Sequence, residues 1–276
     1  MWELLQQPFV LLALAMAFVL AGIHSYLGFH VVGRGVIFVD LCLAQAAAFG
    51  AVVAISLGVG ESGPVHYLIS LGFALLGSLL ISFLRTRDDR VPQEAFIGIL
   101  YAAFTVGTIL LLSGRAEGAE ELNHMLSGSL LTVTPLDLLR TLGLYALVGI
   151  FHVLARRPLF AITANRRKAE ADGLKTRLWD LLFYASFALV VTSSVQVAGV
   201  MLVFSLLVIP PVIALLLVRG SGARLLVGWA LGLGAAFVGV LASLHFDLPV
   251  GPAISAVLIL ALAGAGLLLS LRRRRA

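Results

Sequence analysis

An all-α, polytopic membrane fold follows from three properties of the chain: its apolar content, the length of its apolar runs, and the placement of its few charges. Of 276 residues, 61% are hydrophobic and only 12% are charged, and the mean hydropathy is +1.07. A water-soluble domain carries about 25% charged residues. So little charge cannot cover a soluble core of this size, and lipid is the implied solvent. In lipid every backbone N–H and C=O must be satisfied within the protein, which for runs of this length means helices.

Nine apolar segments are expected, in order 9–30, 36–58, 65–84, 94–113, 136–155, 177–195, 198–218, 223–244 and 251–271. Each is long enough to cross about 30 Å of hydrocarbon at about 1.5 Å per residue. The connections separate them by charge. Arg34 follows the first, Glu61 the second, and Arg85, Arg87 and Arg90 the third. The fourth leads into a polar stretch, 114–134, with Glu117, Glu120 and Glu121, too polar to span and suited to a short surface helix near 118–127. The fifth leads into the basic loop Arg156–Arg177, which holds seven of the 19 Lys and Arg residues. Only Gln196–Gly199 separates the sixth from the seventh, so that pair also reads as one span plus a re-entrant or broken helix, giving eight spans. Arg219 and Arg224 follow the seventh, Asp247 the eighth, and Arg272–Arg275 end the chain.

With the C-terminus inside and strict alternation, 17 of the 19 basic residues fall inside, and only Arg115 and Arg140 fall outside. This bias predicts a cytoplasmic C-terminus and an outside N-terminus. The chain reads as one transmembrane domain over 1–276. Pro210–Pro211 lies within a span and is expected to kink it. Gly (28 residues) and Ala runs such as Ala46–Ala48 suit close helix approach in lipid.

Several function classes drop out. The basic residues sit in short loops between apolar runs, which reads as orientation and anionic-lipid contact rather than nucleic-acid binding. The single cysteine, Cys42, excludes an intrachain disulfide and a multi-cysteine metal site. No GxxxxGK[ST] phosphate loop and no HExxH motif occur, so neither ATP hydrolysis nor zinc proteolysis is expected of this chain. The opening MWELLQQP has an acidic residue and no basic one, unlike a signal peptide, and the first apolar run is expected to stay as a span.

Six stretches, in order, resemble the ABC-3 family, the membrane subunits of bacterial importers for zinc, manganese and related metals. They are Gly33–Gly50 (GRGVIFVDLCLAQAAAFG), Gln93–Ile99 (QEAFIGI), Ser127–Leu131 (SGSLL) with Val133 and Asp137, Trp179–Tyr184 (WDLLFY), Gln196–Met201 (QVAGVM) with Leu207–Pro211 (LVIPP), and Phe246–Gly251 (FDLPVG). The resemblance covers most of 20–260. It implies an importer permease of the metal/cobalamin type, working as a homodimer embedded in bacterial inner-membrane lipid. Two cytoplasmic ATPase subunits, holding the ATP and Mg, would dock on the 156–177 loops. An extracytoplasmic binding protein would deliver cargo near 114–134 and 245–250. The chain itself is expected to hold no cofactor; the metal is its cargo.

The resemblance also implies a coupling helix at about 163–173, read here as a short helix over Thr163–Ala171 ending near Gly173. Its expected contact residues are Arg166, Arg167, Lys168, Ala169, Ala171 and Gly173. One departure bears on cargo. Family members carry Asp and His four apart on the second helix; an ungapped match places Leu41 and Gln45 there, with the only nearby carboxylate at Asp40. One residue on a helix is a rotation of about 100°, so Asp40 does not share the face of Leu41 and Gln45.

The candidate pathway residues are Asp40, Cys42, Gln45 and Glu94. A carboxylate within a span is costly and faces protein or water, so Asp40 is a cation ligand or the partner of a nearby group such as Arg34. Cys42 and Gln45, three apart, are expected on one face; the thiol reads as a soft-metal ligand or a small apolar filler. Gln45 reads as a pathway group or an interhelical hydrogen-bonder. Glu94, just after Pro92, reads as a carboxylate at a helix start or a group at the inner mouth. His24, His30, His66, His124 and His245 show no HxH or HxxxH spacing, and His124 with Glu120 and Glu121 forms either a collecting patch or a solvated loop. Two further readings stay open: the same architecture importing a metal chelate or small organic cofactor, and a secondary carrier or membrane assembly factor without an ATPase.

Overall fold

A computed structural model of the protein describes residues 6–60, 63–84, 91–113, 128 and 130–275. Among these the chain is helical, with one 3-10 turn, Leu130–Thr132, and no strand. The helices are α1 (Pro8–Arg34), α2 (Val39–Ser56), α3 (Pro64–Phe83), α4 (Gln93–Leu112), α5 (Pro135–Leu154), α6 (Arg156–Ala164), α7 (Arg166–Ala171), α8 (Thr176–Leu217), α9 (Ser221–Phe246) and α10 (Val250–Arg275). All but α6 and α7 are long and apolar enough to cross a membrane, which makes eight such helices among the described residues. The short helix expected near 118–127 lies outside the described residues, as do Glu120, Glu121 and His124.

The count of eight against nine rests on α8. Its 42 residues include one with non-helical dihedrals, Gly199 at φ 74° and ψ 160°. That backbone region is open essentially to glycine alone. Unbroken, 42 residues would extend about 63 Å, twice the hydrocarbon thickness; divided at Gly199, each part matches one crossing. The break therefore falls inside the Gln196–Gly199 gap. Pro210 and Pro211 lie within α8 and bring no non-helical residue with them.

The chain forms two compact units. One comprises residues 1–32, 126–143 and 197–276. Its helices meet through small residues. Trp229 Nε1 donates to Gly22 O (2.9 Å) and Ser25 Oγ to Gly228 O (3.3 Å). A Cβ on Gly28 would stand 1.8 Å from Leu207 O, and one on Gly239 would stand 2.5 Å from Ile254 Cα. Gly128, at φ 64°, brings its backbone against Ala198 and Gly199: a Cβ there would lie 2.2 Å from Ala198 C. The α9–α10 turn is closed by left-handed Asp247 (φ 52°, ψ 47°), with Ser243 Oγ donating to Leu248 O at 2.5 Å.

The other unit comprises residues 33–125 and 144–196. Here α2 packs against α3 and α4. Ser70 Oγ donates to Ala47 O (2.8 Å), Gly77 faces Ala46 and Leu43, and Phe49 lies over Gly107 and edge-on to Phe73. Two polar pairs join α5 to the first part of α8: Tyr145 with Ser194 (2.5 Å) and His152 Nε2 with Ser186 Oγ (2.9 Å). Such bonds link helices where lipid offers no hydrophobic drive.

Adding a methyl to Gly28 forces it onto a backbone carbonyl, while Gly22 has open space around it. Gly28→Ala is expected to lower stability by about 1–3 kcal/mol. Gly22→Ala, which gains helix propensity, is expected to leave it equal or higher. Thermal unfolding of the two variants in detergent measures the contrast.

Candidate functional site

The start of α2 carries three of the four pathway candidates, and the fold separates them. Phe38, Leu41 and Gln45 follow one another at helical spacing and are exposed or half-buried, forming the open stripe of α2. Asp40 and Cys42 are fully buried on its packed sides. The Asp40 carboxyl has no hydrogen-bond partner on either oxygen. Arg34, the partner considered for it, pairs with Asp180 instead. Cys42 does not share the open face with Gln45: three residues along a helix still differ by about 60°, and that difference spans the boundary between packed and open surface.

Glu94 lies in the first turn of its own helix and also bonds outside it. Its Oε1 accepts the backbone N–H of Ile37 at 2.6 Å. The residue thus ties the first turn of α4 to the segment leading into α2. Asp137, part of the Ser127–Asp137 resemblance, forms a reciprocal cap: Thr134 N and Oγ1 donate to its Oδ2 (3.0 and 2.6 Å), and Asp137 N donates to Thr134 Oγ1 (3.2 Å). Among the described residues, no three His, Cys, Asp or Glu side chains come together to hold a metal. His24 lies in α1 with Nδ1 2.8 Å from Leu20 O, and His66 Nδ1 is 3.1 Å from Gly60 O. His30 packs edge-on to Tyr26 and Phe29. His245 lies in an exposed run, 245–249, beside Phe246.

The densest polar constellation is at the basic loop. The single helix expected over Thr163–Ala171 is two, because Asn165 is extended (φ −160°, ψ 100°) and starts a new one. Its side-chain oxygen accepts Lys168 N–H at 3.0 Å. Asparagine favours this capping role over continuing the preceding helix. Arg166, at the first position of α7, is part-buried. It pairs with Asp180, with Glu170 (Nε–Oε1 3.1 Å), and donates to Thr176 Oγ1 at 3.0 Å. Thr176 donates in turn to Glu170 (2.7 Å). Ala169 is also buried, whereas Arg167, Lys168, Ala171 and Gly173 are exposed.

Asp180 takes Arg34 on its other oxygen at 3.0 Å, with both side chains 2% exposed. Arg34 is held on every side. Its Nε donates to Thr163 Oγ1 (3.1 Å), a terminal nitrogen donates to Leu159 O (3.4 Å), and its guanidinium lies 4.0 Å above the Phe183 ring. Gly33 permits the approach, since a Cβ there would lie 2.7 Å from the Thr163 methyl. A small pocket remains, lined by Gly33, Arg34, Thr163, Asn165 and Arg166. A buried ion pair stripped of one partner loses about 3–5 kcal/mol, so this cluster fixes where α6 and α7 sit. Neither Asp180 nor His152 is marked by spacing or periodicity. Asp180 had two available signals: a carboxylate in an apolar run just after a basic loop, and a place in the Trp179–Tyr184 stretch of the resemblance.

With that geometry in view, the comparisons decide the lineage. Residues 6–268 match the ABC 3 transport family (ABC-3). The chain belongs to this family. It is a multi-pass membrane permease of the ABC transport class. The Halalkalibacterium halodurans protein named "Manganese transport system membrane protein MntC" is 27% identical over 253 residues, covering 91% of this chain and 84% of its own length. The Yersinia pestis "Chelated iron transport system membrane protein YfeD" is 26% identical over 251 residues, covering 90% and 81%. In fold, the chain is similar to PsaBC from Streptococcus pneumoniae in complex with Fab, with TM-score 0.79 at 21% identity over 95% of this chain and 92% of that one.

For this ABC-3 member, Glu94 is a packing tie whose oxygen matters more than its charge. Glu94→Ala is expected to cost about 1–2 kcal/mol, and Glu94→Gln, which keeps an acceptor, to cost less than half as much. Thermal unfolding of both variants checks the order; equal losses would remove the tie to Ile37.

Proposed function

We propose that this permease imports a divalent transition metal, manganese or zinc, in the bacterial inner membrane as a homodimer. A separate cytoplasmic ATPase supplies the energy, and an extracytoplasmic binding protein supplies the cargo. Four things support the reading: the family match, the manganese system named for the Halalkalibacterium relative, the basic bias of one set of loops, and the exposed face of α7. Positive loops face the cytoplasm, which puts Arg167, Lys168, Ala171 and Gly173 on the ATPase side and 245–249 on the side that meets the binding protein. ATP closes the motors, α6–α7 carries the movement, and the permease alternates its access.

Gln45 is the pathway residue of this reading, because it lies on the open stripe of α2 at the position where the family's histidine stands. Asp40 is enclosed one residue before the family's aspartate position, and takes part only when the packing around the start of α2 opens. An amide is a weaker ligand than imidazole for a first-row metal, and Leu41 is none at all. That departure favours a second reading, a chelate whose metal is already coordinated, in line with the chelated-iron system named for the Yersinia relative.

Co-purification of an ATPase and uptake by the reconstituted complex across free Mn²⁺, Zn²⁺ and a ferric chelate test the proposal. Uptake of a free divalent ion supports the first reading, uptake of the chelate alone supports the second, and absence of any ATPase ends both. Gln45→Ala is expected to weaken apparent cargo affinity by about tenfold with ATPase association intact. Asp40→Leu removes an unpartnered buried carboxyl, so thermal stability should hold or rise by about 1–3 kcal/mol. Unchanged uptake in that stabilised variant takes Asp40 out of the pathway.

A further inference from the structure

The link between α6 and α7 is a single extended residue, Asn165. A six-residue helix joined to its neighbour by one such residue is free to swing unless something else holds it. Besides the buried Ala169, its first residue holds α7: Arg166 reaches Asp180 in α8, with Glu170 and Thr176 bracing the same guanidinium. The other Asp180 oxygen holds Arg34 at the end of α1, and Arg34 is fastened to α6 through Thr163 and Leu159. Three pieces therefore meet at one carboxylate: the short helices of the basic loop, the final turn of α1 and the opening turns of α8. Both guanidiniums lie against the Asp180 carboxylate, and that of Arg166 lies against Glu170 as well. Its chemistry is internal fastening.

We propose that Asp180 is the joint through which displacement of α7 is passed to the membrane helices, with Arg166 as the lever and Arg34 as the anchor. This rests on the ATPase-driven reading above and assigns the residues that carry its mechanical step. Asp180 is a positioning residue: it touches neither cargo nor nucleotide. Exposed Arg167 and Lys168 belong to docking, and their loss should act differently from the loss of the joint.

The test uses the complete complex in proteoliposomes, with Mn²⁺ as the probe and with ATP-dependent maleimide labelling of a cysteine at exposed Phe38 as a readout that needs no cargo; native Cys42 is buried. Asp180→Asn is isosteric and leaves one uncharged acceptor. It is expected to keep ATPase association while the Mn²⁺ moved per ATP, and the ATP-dependent change in Phe38→Cys labelling, fall by about tenfold. Arg166→Gln leaves the buried Arg34–Asp180 pair in place and is expected to lower the same ratio; it carries the test alone if Asp180→Asn does not fold. Arg167→Gln/Lys168→Gln is expected to weaken ATPase association instead. Parental coupling ratio and labelling change in Arg166→Gln, or in folded Asp180→Asn, overturn the assignment while leaving the importer reading intact. A parental preparation with no ATPase attached removes both.

Discussion

A carboxylate away from water needs partners, and Asp180 has two guanidiniums. In low dielectric an isolated carboxylate is costly, whereas one that accepts charge-assisted bonds on both oxygens is held in place and holds its partners. Because those partners come from the end of α1 and the start of α7, the shared bond defines how the basic loop is fixed to its unit. The aromatic face of Phe183, the hydroxyl of Thr163 and the bare Gly33 backbone are consequences: each lets Arg34 lie buried without an unsatisfied N–H. A basic loop that orientation alone would explain is thereby also a rigidly mounted element.

Small residues set the rest. Lipid tails give no reason for one apolar helix to prefer another, so close packing and a few polar bonds decide which helices meet. Gly50, Gly77 and Gly107 let α2 sink between α3 and α4, and Gly28, Gly232 and Gly239 serve the other unit similarly. At Gly199 the same residue type has another use. Its backbone lies where other residues are strained, and Gly128 can approach because neither carries a Cβ.

Under the proposed reading, the two faces of α2 bear on transport. The packed face keeps Asp40 and Cys42 from solvent; the open stripe presents Phe38, Leu41 and Gln45. A strong metal ligand on that stripe would bind free ions tightly, and an amide binds them loosely. A loosely held cargo leaves readily, which is a requirement of any pathway that must release what it takes up.

The sequence alone determined the helical membrane class, the apolar runs that the described helices follow, the narrow gap at 196–199 where eight and nine spans part, and the family, because each depends on local quantities: apolar run length, charge between runs, and residues in fixed order. It also placed Asp40 off the face of Gln45, since helical rotation is local geometry. Tertiary structure decided the rest. Arg34 pairs with Asp180, 146 residues away, rather than with Asp40 six away. Glu94 serves the approach to another helix, and Arg166 is part-buried while Arg167 is exposed. Asn165 divides what charge and composition present as one helix. Which of several nearby charges pair depends on which helices the glycines allow to touch, and that selection is made only once the chain has packed.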